Sequence, residues 1–154
     1  MHRVRTPLAI ILAGIGFFYI ETFLVGFSAA IAYPTWFAEF VAKHSELGFA
    51  LWDLATVVPV VIVSALLAGV VLARFVDSHY FLSGLAAIMV AVAFAIVLAI
   101  PQLGFPIAVR NHVFPVYWFL MPSYLAIWLA LPLATKFFGA RVKDLPNDNL
   151  KAAV

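Results

Sequence analysis

Long apolar runs separated by short polar clusters dominate this chain. Four runs stand out, at about 8–30, 50–75, 81–100 and 116–138. Each holds about 20 residues or more, and at about 1.5 Å per residue each can cross a hydrocarbon core of about 30 Å. Backbone amides in lipid need partners inside their own segment, so each run predicts a helix. No stretch alternates strictly between apolar and polar positions, as a membrane β-strand would. The pattern predicts an all-α integral membrane protein: one four-transmembrane-helix bundle over residues 1–154.

The breaks differ in character. Val76, Asp77, Ser78 and His79 separate the second and third runs, a connection so short that it predicts antiparallel neighbouring helices. The first outer connection, 33–49, is longer. There Trp36, Phe37, Phe40 and Val41 recur at i, i+1, i+4 and i+5, with Glu39, Lys43 and Glu46 opposite, which predicts a short amphipathic helix in the interface. Ser45 reads as the N-cap of the second span, with Glu46 in its first turn. Residues 101–115 are mostly apolar apart from Gln102, Arg110, Asn111 and His112, and read as a connection lying along the membrane surface. The polar stretch 143–154 reads as a mobile cytoplasmic tail.

Composition narrows the class. Hydrophobic residues make up 66% and charged residues 10%, too little charge to cover a soluble domain and too much apolar mass for disorder. The net charge of +2 forms no basic patch with interleaved aromatics, so nucleic acid is not an expected partner. With no cysteine, disulfides, thiolate metal sites and thiol redox chemistry are all excluded.

Charge placement predicts orientation. If there are four crossings, Arg3, Arg5, Arg74, Lys136, Arg141, Lys143 and Lys151 fall on one side, with Lys43 and Arg110 on the other. The positive-inside rule puts both termini in the cytoplasm of a multi-pass protein, and a prokaryotic inner membrane is the expected location. The first apolar run far exceeds the 7–15 residues of a signal-peptide core, so it reads as an uncleaved helix despite Ala30-Ile31-Ala32.

Within the third span, Ser83, Ala87, Ala91, Ala95 and Ala99 recur every fourth residue, a stripe where another backbone can approach. Packing within the bundle is the expected use, with a subunit interface as the alternative. Pro59, Pro122 and Pro132 predict bends, and Pro122 is expected to free the Trp118 carbonyl. Tyr33, Trp36, Trp52, Tyr117 and Trp118 form an outer aromatic belt.

Glu21 is the first candidate for chemistry. It lies about 13 Å below the outer end of the first span by helical rise, and an acid at such depth is a functional hypothesis by default. On the same count Thr56 lies about 10 Å down the second span, and Ser123 and Tyr124 about 11–12 Å down the fourth. Glu21, Thr22, Thr56, Ser123 and Tyr124 therefore read as one polar layer, with Asp53 up to a turn above. That layer is either a set of interhelical hydrogen bonds or a pocket open to the outside, roofed by the connection carrying Arg110 and His112. His2, His44, His79 and His112 all lie outside the spans, so no intramembrane haem is expected. No hydrolase, P-loop, dinucleotide or zinc-protease motif is present, and no cofactor or metal site is predicted.

The leading expectation is a non-catalytic membrane subunit that packs with other membrane proteins or with copies of itself. A small transporter or channel using Glu21 as an ion or proton site is the second. A lipid or quinone site in the outer polar layer is the third.

Overall fold

The computed structural model describes residues 2–30, 34–115 and 117–143. Tyr33 of the aromatic belt and the tail from 144 onward lie outside the described residues. Six α-helices occupy the described part: α1 (His2–Ala29), α2 (Thr35–Lys43), α3 (Ser45–Phe75), α4 (Tyr80–Leu103), α5 (Phe105–Val113) and α6 (Met121–Lys143). A single 3₁₀ turn, Trp118–Leu120, leads into α6. Four helical stretches are long and apolar enough to cross a membrane: Arg5–Ser28, Ser45–Phe75, Tyr80–Leu103 and Trp118–Arg141. The protein is an all-α membrane bundle.

Paired contacts fix the directions. Gly14 of α1 backs onto the Ala87 carbonyl, and Phe18 and Tyr19 meet Phe94, so α1 and α4 run parallel. Asp53 meets Ser123 and Gly69 faces Ala134, so α3 and α6 also run parallel. Gly84 faces Pro132 while Tyr80 lies over Gly139, so α4 and α6 are antiparallel. It follows that α1 and α3 are antiparallel too. Both ends of the helical path, near His2 and Lys143, lie on one side (the terminal side), and α2 and α5 lie on the other.

The order around the bundle corrects one expectation. α1 touches α3 and α4, α6 touches α3 and α4, and α3 barely meets α4. The helices joined by the shortest link are thus antiparallel but sit across the diagonal. Distance allows this, because five Cα steps from Phe75 to Tyr80 can span about 17 Å, more than the diagonal of a square with sides of about 8–10 Å. Val76 is extended and buried, and His79 takes a left-handed conformation (φ 55°) just before α4 begins.

Small residues set the spacing. Ser83, Ala87, Ala91 and Ala95 are buried along α4, and Ala99 is half-buried. At Gly84 a Cβ would stand 2.6 Å from the Pro132 Cα, so glycine is what lets α4 approach the backbone of α6 at its proline. Between these contacts Val61, Leu72, Ile88 and Leu131 are fully buried and fill the centre.

The loop-side helices rest on this frame. Phe37 of α2 is buried and packs against Trp52, with ring centroids 5.5 Å apart. The cap at the α2–α3 junction is His44, which makes no side-chain capping bond, whereas Ser45 is already the first residue of α3. Glu46 stands in the first turn of α3 and Arg74 in its last, each favoured by the helix dipole there. Within 101–115 the structure forms a helix that composition did not suggest. Gly104 (φ 75°) ends α4, its N–H bonding the Ile100 carbonyl, and Pro106 opens α5 with a pre-set φ.

Candidate functional site

Interior hydroxyls mostly turn back on their own helices. Ser28 donates to the Val25 carbonyl, Thr56 to Trp52, Ser64 to Val60 and Thr135 to Leu131, at 2.7–2.9 Å. This is the usual way for Ser and Thr to satisfy themselves in lipid without a neighbour. Thr56 therefore adds nothing to an interhelical network, although it lies near the depth of the others.

A side-chain bond joins two spans. The buried Ser123 hydroxyl donates to the half-buried Asp53 carboxylate, tying α6 to α3 near the loop side. Tyr124, the next residue, donates its hydroxyl to the Asn111 carbonyl and lies within electrostatic range of Asp53. That bond fastens α5 to the bundle. Asn111 enters through its backbone, so its side-chain chemistry could not have flagged it. Pro122 precedes this pair at the second position of α6, where no helical N–H is yet required. The Trp118 carbonyl is consequently not freed, since it accepts the Met121 N–H.

The expected roof is only partly assembled. His112 bonds through Nδ1 to the Ala108 carbonyl of its own helix at 2.8 Å, and Arg110 is exposed. Among the described residues no three His, Asp or Glu side chains are grouped to hold a metal ion. Asp53, Ser123, Tyr124 and the α5 backbone form a clamp whose polar groups satisfy one another.

Glu21 and Thr22 do not join that clamp. They stand on α1, which contacts α3 and α4 but not α6. Glu21 is half-buried on the face that carries buried Phe17 and Ser28, while Thr22 is exposed on the perimeter. Depth counting put these groups in one layer because rise measures height and says nothing about the side of the bundle.

The perimeter around Thr22 has a pattern of its own. Tyr19, Phe23 and Phe27 recur every fourth residue, and the two phenylalanines are 72% and 69% exposed. Thr22 and Gly26 lie between them with the same spacing. A Cβ at Gly26 would meet nothing within 4 Å among the described residues, in contrast to Gly14 and Gly84. Sequence reading passed over this face, although the Thr22…Gly26 pair carries the small-xxx-small signal of a helix contact.

No protein-family model, curated protein or solved structure matches this chain. The functional reading therefore rests on these residues alone.

Proposed function

We propose that this protein is a non-catalytic membrane subunit whose α1 packs against a transmembrane helix of another membrane protein or of a second copy. One observation carries the reading: Thr22, a hydroxyl residue inside a span, is exposed at the edge of the bundle, one turn from open space at Gly26. Thr22 lies about 9 Å inside the Ser28 end of its span. Hydroxyls in membrane helices bond across to neighbouring helices, and small residues let the two backbones approach. A neighbouring helix seated over Thr22 and Gly26 supplies that contact, with the exposed Phe23 and Phe27 along one side of it.

The packed centre weighs against a transport path through the bundle. Val61, Leu72, Ile88 and Leu131 fill it, and the Asp53–Ser123 contact lies towards one end. We also place both chain ends in the cytoplasm. Exposed Arg5, Arg74, Lys136 and Arg141 crowd the terminal side, against Lys43 and Arg110 on the loop side.

Gly26→Leu tests the proposal, because its Cβ would enter open space among the described residues. The variant should keep the parent melting temperature in detergent and lose the larger assembly on size-exclusion chromatography in a mild detergent. Thr22→Leu, on the same exposed face, should do the same. If both variants retain the parent's assembly, the proposed contact does not exist.

A further inference from the structure

A second feature of α1 lies towards the terminal side, along its contact with α3. There a groove of about 830 Å³ opens between the two helices. Its floor is made of small or buried residues, Ala13, Gly16 and Ala68 among them. Leu12, Leu67 and Phe75 stand as exposed walls, and Arg5 lines the mouth. A Cβ at Gly16 would meet nothing within 4 Å among the described residues, so the groove is open beside it.

We propose that this groove holds one acyl chain of an anionic phospholipid, with Arg5 pairing with the headgroup phosphate. Three features select this occupant. The length fits: from Leu8 to Ile20 the groove runs about 18 Å along α1, close to the half-thickness of about 15 Å that one leaflet's chains fill. The polarity is graded in the matching sense, with Arg5 at headgroup level and only apolar side chains deeper. The surrounding charge also agrees, because Arg74, Lys136 and Arg141 are exposed at the same end, against one described acid, Asp77. A partner helix would need no cation at the mouth, whereas a phosphate does.

Native mass spectrometry of the detergent-solubilised full chain, titrated separately with phosphatidylglycerol and phosphatidylcholine, tests this. The parent should retain phosphatidylglycerol in preference to phosphatidylcholine at low stoichiometry. Arg5→Gln should reduce that preference about fivefold, as expected for one basic group at an anionic surface. Gly16→Leu, which fills the groove, should abolish retention of both lipids at that site while the melting temperature without lipid holds. Lys136→Gln, off the groove at the same end, should change little. A loss with Lys136→Gln equal to that with Arg5→Gln would reveal only a general surface field and overturn the proposal. So would unchanged lipid retention in Gly16→Leu. If Gly16→Leu instead breaks up an oligomer without altering lipid retention, the groove is a protein interface and the lipid assignment is wrong.

Discussion

Adding one methyl group at Gly84 should separate two helices that the rest of the sequence holds together. A Cβ there would lie 2.6 Å from the Pro132 Cα and 3.0 Å from both the Leu131 carbonyl oxygen and the Pro132 nitrogen. Ordinary contact begins at 3.4 Å, so α4 and α6 must part locally by about 0.8 Å. All three obstructing atoms are backbone, and no rotamer change can relieve them. The fully buried Ile88 and Leu131 sit beside this contact and lose packing as it opens. Overpacking of this kind costs about 1–3 kcal/mol. Gly16→Ala is the matched control: its Cβ enters open space, so the change should be neutral or stabilising by up to about 1 kcal/mol through helix propensity. Circular dichroism during unfolding of each variant in detergent, by heat and by added SDS, measures the difference. If Gly84→Ala is as stable as the parent, or Gly16→Ala is equally destabilised, the assigned neighbours are wrong.

Three further outcomes follow from the same contacts. A double-mutant cycle with Asp53→Ala and Ser123→Ala should give a coupling of about 0.6–1.7 kcal/mol, the range of interhelical hydrogen bonds in membranes, and a coupling near zero would remove the α3–α6 tie. Tyr124→Phe should raise hydrogen exchange in α5 (Phe105–Val113) and cost about 0.5–1.5 kcal/mol. Unchanged exchange there would mean that Tyr124 does not hold the segment. Reporters fused after Arg141 and within α2 should face opposite compartments, the first cytoplasmic; finding them on one side would break the four-span path.

The spans were legible because hydropathy reports directly on insertion into lipid. α2 was legible too, since the apolar period at Trp36, Phe37, Phe40 and Val41 survives in a segment that also carries charge. α5 escaped notice because 101–115 is apolar on most sides, and its real markers, Gly104 and Pro106, are capping signals and not compositional ones. The diagonal placement of α3 and α4 was hidden for a related reason. Loop length bounds a distance without choosing among the positions that satisfy it, and helices apolar all round do not declare which face turns inward. The candidate polar layer shows the same limit. Counting rise brought Asp53, Ser123 and Tyr124 to similar heights, and they do converge on α3 and α6. The same count placed Glu21 and Thr22 with them, although α1 and α6 do not touch.

In the proposed assembly α1 meets another protein helix at Thr22 and Gly26. A photo-crosslinking amino acid placed at position 23 and activated in native membranes tests this most directly. Position 125 on α6 is the control, since Leu125 is also exposed but belongs to a helix that α1 does not touch. Position 23 should yield a discrete protein adduct, either a dimer of this chain or a second membrane protein, while position 125 should yield lipid adducts. The adduct at 23 should disappear when Gly26→Leu is introduced. Lipid adducts alone at both positions would contradict the claim and leave α1 facing the bilayer.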